Sequence, residues 1–298
     1  MHISFSWWNI GHKPPVAGVA KTKLHGLMRP WFFNCYLDDL IGLDFISFGE
    51  VDSDFAQTME KPFWHNGYDL VDASGKDGRL IFDICIFYRR AKLELLSYVN
   101  IAVPHYSGRL KVATRFDFII KETGDSIYFY VSHWPSQLSR PDIGRDELGV
   151  ALRQDIQSLF DAEGHHAKII LMGDYNNEPF DKPIYDKLGA TRDKDILIKN
   201  PFLLYNPFWR NLGASSHYAR SRKTSPCHGT YFYKSSSHVT KWFTFDQIIV
   251  SSAFLGSSSW HLIEEATKVY HYDEESMFGK DFFHGYDHLP IFGRVERH

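Results

Sequence analysis

A layered α/β fold in one domain spanning residues 1–298 is the prediction, and three observations lead to it. β-prone apolar runs open and close the chain, from Ile3 to Ile10 and from Leu289 to Val295. Between Ile127 and Met172 a strand-like stretch, an amphipathic stretch and a continuous apolar stretch follow in the order of a layered α/β unit. No tract of linker length rich in Pro, Gly or Ser, no charge block and no repeat interrupts the 298 residues. Length alone would allow two domains, but layered enzymes often run this long as one unit.

The first element, Ile3 to Ile10, is short and aromatic, and Gly11 with the Pro14-Pro15 pair halts it, which leaves Asn9 at its C-terminal end. Leu24 to Leu43 is mostly helical in pattern, with Pro30 breaking or starting a helix. Asp44 to Gly49 reads as a buried strand that delivers Glu50 to its end. Arg79 to Tyr88 and Thr114 to Lys121 are strand-like, Gly124-Asp125 makes a hairpin turn, and the strand from Ile127 to Ser132 ends on His133. Asp142 to Glu163 carries Leu148, Leu152, Ile156 and Leu159 at spacings of four, four and three, the stripe of an amphipathic helix. Ala167 to Met172 is an apolar strand running into Gly173-Asp174. Asn200 to Ser225 is aromatic, polar and poorly periodic, and reads as loops. Strands resume at Gly229 to Tyr233, Thr244 to Val250 and Leu289 to Val295.

Hydrophobic residues at 44% and aromatics at 16% supply a sizeable core with aromatic side chains left over to line a site. The formal charge of −3 removes the domain-wide basic excess of a strong nucleic-acid binder, leaving local strips at Arg89-Arg90 and Arg210 to Lys223. Cys35, Cys85 and Cys227 are odd in number and lack C-x-x-C spacing, so they are expected to stay reduced. The start of the chain lacks a charged stretch followed by an apolar one, and no segment approaches 18 uninterrupted apolar residues, which points to a soluble cytoplasmic protein.

The functional candidates gather where strands end. Asp287-His288 places a carboxylate beside an imidazole, one suited to holding a hard cation and the other to exchanging a proton. Asp174 and Asn176 point the same way at strand period two, although an Asx turn is the ordinary reading of Gly-Asp-Tyr-Asn after a strand. Glu50 adds a second strand-end carboxylate, and Asn9, His133 and Asp246 stand at comparable positions. Together these are the groups of metal-assisted phosphate ester cleavage. A phosphodiester repels hydroxide, so its site must neutralise charge, align a water and protonate the leaving oxygen.

With Asn9, Glu50, His133, Asp174-x-Asn176, Asp246 and Asp287-His288 in that order, the chain resembles the endonuclease/exonuclease/phosphatase superfamily of DNase I-like enzymes. The resemblance implies a four-layer α/β/β/α sandwich, two mostly antiparallel sheets flanked by helices, with the site at one end. It implies Mg2+ or Mn2+ as cofactor, with Asn9, Glu50 and Asp287 around the metal. Asp174 and Asn176 would orient the water and phosphate, His288 would act as base held by Asp246, and His133 would be a second catalytic histidine. Arg115 is a candidate phosphate grip, since its guanidinium can bind bidentately. The string from Gly173 to Pro179 is similar to that of deadenylases and many bacterial members, whereas Phe245-Asp246-Gln247 departs from the Cys-Asp-Arg of inositol 5-phosphatases. The expected activity is a nuclease acting on DNA or RNA. The alternatives are hydrolysis of a lipid head group or small nucleotide, and an inactive binding protein of the same fold.

Overall fold

The computed structural model describes residues 1–12, 42–106, 108–136, 144–213, 229–233, 239–270 and 287–298. The helix expected at Leu24 to Leu43, but for its last two residues, lies outside them, as do Cys35, Cys227 and most of the Arg210 to Lys223 strip. Among the described residues two seven-stranded sheets form. The first contains β1 (His2–Asn9), β2 (Phe45–Gly49), β3 (Tyr68–Asp72), β6 (Ile84–Arg89), β16 (Trp260–Leu262), β17 (Lys268–Val269) and β18 (Ile291–Arg297), in the order β16-β18-β1-β2-β6-β3 with β17 against β18. A small hairpin of β4 (Gly75–Asp77) and β5 (Leu80–Phe82) stands apart.

The second sheet has the order β11-β12-β15-β10-β9-β8-β7. Its strands are β7 (Leu93–His105), β8 (Gly108–Ile120), β9 (Ser126–His133), β10 (Ile169–Asp174), β11 (Ala190–Thr191), β12 (Leu204–Tyr205) and β15 (Asp246–Ser251). A two-stranded ribbon, β13 (Tyr231–Phe232) with β14 (Trp242–Phe243), is bridged through Tyr231 to His288. The pairs β1–β2, β9–β10 and β11–β12 run parallel and the remaining ladders antiparallel.

The sheets pack face to face because alternate residues of each are apolar and need cover. Phe45 of the first sheet stacks on Phe129 of the second with centroids 4.0 Å apart, and Phe116 and Phe118 meet it edge-on. Each such ring contributes about 1.5–3 kcal/mol by leaving water. On the outer face of the first sheet, α1 (Ser53–His65) seats Phe63 on Phe87 and Phe55 on Phe48. On the outer face of the second, α2 (Arg145–Glu163) buries Leu148, Leu152, Ile156 and Leu159 against Tyr130, Ile169 and Leu171. The result is the expected four-layer sandwich.

Three details differ from the sequence reading. The Arg79 to Tyr88 run splits at Asp83 into β5 and β6, and α1, with Asp52 accepting from Phe55 N at 3.0 Å as its cap, was not legible because Pro62 interrupts its pattern. The Asn200 to Ser225 stretch contains β12 and a 3₁₀ turn, Pro207–Asn211, started by Asn206. Among the described residues no helix is long and apolar enough to cross a membrane.

Candidate active site

Register brings the strand ends together. Asn9 stands beside Gly49 across the parallel β1–β2 ladder, while Asp174 stands beside His133 on one side and Asp246 on the other. The two sheets are then tied across the gap. Trp7 Nε1 of the first sheet donates to Asp246 Oδ1 at 2.7 Å, and Asn9 Nδ2 donates to Glu50 Oε1 at 3.2 Å and to Asp174 Oδ2 at 3.3 Å.

Two imidazole–carboxylate pairs face this gap. His288 Nδ1 lies 2.8 Å from Asp246 Oδ2, and its Nε2 lies 3.7 Å from Asp174 Oδ2. His133 Nδ1 lies 2.8 Å from Asp83 Oδ2, and its Nε2 lies 3.6 Å from Glu50 Oε1. A carboxylate at Nδ1 fixes the tautomer that leaves Nε2 as the working nitrogen. The ring of Tyr231 packs 4.6 Å from that of His288, and the indole Nε1 of Trp8 donates to the His288 carbonyl at 3.0 Å.

The electrostatics follow from burial and close charge. Burial would push the His288 imidazole down, but Asp246, Asp174 and Asp287 outweigh it and raise it well above the ordinary histidine range. His133 is likewise raised, with Asp83 and Glu50 overcoming burial and Lys111. Burial raises Asp83, yet the Lys111 ammonium 2.5 Å away and His133 hold it below the usual carboxylate range. Asp174 is pushed up to about 6, chiefly by burial and then by Asp246, against the opposing pull of His288. The Tyr231 hydroxyl is raised by burial and by Asp287, Asp174 and Glu50, so all three carboxylates act on one point.

The donor set fits a hard divalent cation. Asp174, Asp246 and His288 offer ligand atoms within 4.8 Å of one another, and Glu50 and Asp287 add oxygens whose charge acts on the same region. The raised Asp174 carboxyl, buried beside Asp246, is the mark of negative charge in want of a cation.

Asn9, Glu50, His133, Asp174, Asn176, Asp246 and His288 are thus brought together, and Asp287 stands next to His288 with its carbonyl accepting from Phe232 N at 2.9 Å. Asn176 arrives by a different route from strand alternation. β10 ends at Asp174, Asn176 takes φ +47°, and its N–H donates to Asp174 Oδ1 at 2.8 Å in an Asx turn. Asn9 presents its Nδ2, with Oδ1 accepting from Gly11 N at 3.1 Å, so it joins the two carboxylates as a donor. Arg115 is not in the cluster. Its guanidinium is held by Asp117 at 2.9 Å and Asp155 of α2 at 3.0 Å on the outer face of the second sheet, which removes it as a phosphate grip.

Asp83, Lys111, Tyr231 and Arg145 escaped the sequence reading. Asp83 is hidden inside a strand-like run, and Lys111 precedes the strand expected at Thr114. Arg145, at the start of α2, donates to Asn177 Oδ1 at 2.9 Å, to the Asn176 carbonyl at 3.3 Å and to the Pro135 carbonyl at 2.7 Å, so it clamps the loop after Asp174.

The chain shares its fold with solved structures that it matches over nearly its whole length. The human Nocturnin catalytic domain with bound sulfate is 16% identical with a TM-score of 0.63, covering 100% of this chain and 95% of that one. D. rerio TDP2 complexed with a single-strand DNA product is 17% identical with a TM-score of 0.59, covering 99% of each. A Bacteroides thetaiotaomicron mannosyl-6-phosphatase is 17% identical with a TM-score of 0.54, covering 99% of this chain and 98% of that one. No functionally curated protein matches the sequence. Residues 36–296 match the model of one family, and the chain belongs to it: the endonuclease/exonuclease/phosphatase family of metal-dependent phosphoesterases.

Proposed function

We propose that this chain is a phosphodiesterase dependent on Mg2+ or Mn2+ that cuts DNA or RNA by in-line attack of water. The observation that carries the reading is the pair of imidazole–carboxylate couples, Asp246–His288 and Asp83–His133, whose Nε2 atoms both open on one gap crossed by Asn9. Two such couples suit a reaction that removes a proton from water and returns one to a leaving oxygen.

In this reading a cation held by the neighbouring carboxylates would offset the charge that keeps His288 protonated, so that His288 takes the proton of the attacking water at Nε2 while Asp246 stabilises the imidazolium that results. Asp174 and Asn176 orient the water and a phosphate oxygen, and His133, protonated beside Asp83, steadies the phosphate from the opposite side and gives its Nε2 proton to the leaving oxygen. Glu50 and Asp287 would hold the cation, with Asn9 fixing the Glu50 and Asp174 carboxylates. Held there, a divalent cation would supply charge neutralisation at the phosphate and polarise the bond to be broken. The ribbon β13–β14 and the segment after it stack Tyr231, Phe243 and Phe245 as half-buried rings, Tyr231 against His288 and 5.5 Å from Phe245, nearly parallel to it. An aromatic face next to the reacting phosphate supports a base-bearing substrate over a bare sugar phosphate.

The test is to offer the purified protein labelled single- and double-stranded DNA, RNA, a phospholipid panel and sugar phosphates, each with Mg2+, Mn2+ or chelator. Nucleic acid is expected to be cut only with a cation present, and His288→Ala is expected to lower turnover by roughly 10²–10⁴-fold with its folding retained. Hydrolysis confined to phospholipid or sugar phosphate would replace the nuclease reading.

A further inference from the structure

Immediately behind the site, on the other face of β15, lies a polar network that the chemistry above does not use. Gln247 follows Asp246 and is fully buried. Its Nε2 donates to the Asn177 carbonyl at 2.6 Å and to the Thr244 carbonyl at 3.1 Å, and its Oε1 accepts from Asn206 Nδ2 at 2.8 Å. Asn206, also fully buried, accepts with Oδ1 from Phe208 N at 3.0 Å and thereby starts the Pro207–Asn211 turn. The same three segments are cross-linked around it. Thr244 N donates to Glu178 Oε2 at 3.1 Å, Thr244 Oγ1 to the Asn211 carbonyl at 3.1 Å, and Tyr175 N to the Phe245 carbonyl at 2.9 Å.

A primary amide is the side chain this position demands. Two carbonyls approach from one side and an N–H from the other, and only Asn or Gln offers two donors and an acceptor in one uncharged planar group. Leaving any of those buried groups unpaired costs about 1–3 kcal/mol, so the network has one satisfied arrangement and resists sliding. That arrangement bears on the site from both ends. Asn177 follows Asn176, whose left-handed backbone turns its N–H onto Asp174, and Thr244 lies two residues before Asp246. Gln247 thus spans the loop carrying Asp174 and Asn176 and the strand carrying the partner of His288.

We propose that Gln247 is a positioning residue, its amide with that of Asn206 setting the place of Asp174 and Asn176 relative to the Asp246–His288 couple. The inference rests on the phosphoesterase reading for its effect on rate, though not for its effect on geometry. Two variants and two readouts test it. Gln247→Met keeps length and volume while removing all three hydrogen bonds, and Asn206→Asp keeps the acceptor for Phe208 N while removing the donor to Gln247. Turnover of the folded protein, measured well below its melting temperature, is expected to fall roughly 10–100-fold in Gln247→Met and less in Asn206→Asp, with KM changed under about threefold. The second readout is the proton resonance of the His288 Nδ1–H bonded to Asp246, which should shift or broaden in both variants. A purely structural role would lower the melting temperature alone. Wild-type kcat with an unmoved His288 resonance in folded variants would overturn the proposal. If the wild type cleaves no phosphoester, the resonance alone decides: a shift upholds the positioning role while the phosphoesterase reading falls, and an unmoved resonance overturns both.

Discussion

At Glu50 the backbone takes φ +55°, and at Asn176 φ +47°, the two left-handed non-glycine residues among the described ones. A non-glycine L-residue holds that conformation at a cost of roughly 1 kcal/mol, because its Cβ crowds the backbone carbonyl, and such strain collects where a side chain must be aimed. Glu50→Gly is therefore expected to leave stability unchanged or raise it by up to about 1 kcal/mol while eliminating cation-dependent turnover, as read by denaturant titration beside an activity assay. A loss of stability with activity intact would contradict the assignment. Glu178 carries a different strain. Burial, with Asp181 nearby and the Thr244 N–H opposing, pushes its carboxyl up to about 7. A carboxyl raised in the folded state favours the fold when neutral, so its contribution is complete below about 4.5 and is lost as pH rises through about 7. Glu178→Gln keeps an acceptor for Thr244 N and should stabilise the protein at pH 8 by on the order of 1–3 kcal/mol, flattening the stability profile between those pH values. An unchanged profile would place the pH dependence elsewhere.

The strands deliver these residues, and their close packing is what fixes the aim. Gly49 ends β2 against the ring of Trp7, where a Cβ would come within 2.2 Å of the indole. That indole is also the donor to Asp246. Gly49→Ala must displace Trp7, and the expected result is a loss of about 1–3 kcal/mol in stability together with reduced turnover, since the Asp246 anchor moves too. Thermal melts and kinetics on the same sample check it, and a stable, fully active variant would show that the indole can move without disturbing Asp246. At this scale much was legible. Apolar runs at Ile3, Asp44, Ile127 and Ala167 announced strands whose ends carry polar groups, and they recur within a residue or two as β1, β2, β9 and β10. What stayed hidden depends on partners distant in sequence. Asp83 looks like a strand interruption until His133 comes beside it, 50 residues away, and Gln247 looks like one polar residue in an apolar strand until Asn206 and Asn177 close around it.

Across the whole molecule, stacking two sheets between helices puts polar strand ends from both sheets at one rim, where water is scarce and charge is unbalanced. Among the described residues, Glu50, Asp83, Asp174, Asp246 and Asp287 meet there with His133, His288, Lys111 and Arg145 opposing them. Buried like charges are expensive, so a ligand that binds the folded rim and not the unfolded chain must stabilise the fold. Magnesium or manganese at about 100 times its Kd should add about 2.7 kcal/mol, a rise of several degrees in melting temperature for a chain of this size. Sodium chloride at matched ionic strength should not reproduce the rise, because screening acts weakly on buried groups. Glu50→Gln should abolish most of it by removing a carboxylate from the rim, while Arg115→Lys, in the ion pairs beneath α2, should change the baseline melting temperature and leave the cation-induced increment intact. An increment that survives Glu50→Gln, or is matched by sodium, would mean that the carboxylates at this rim balance their charge without a bound divalent ion.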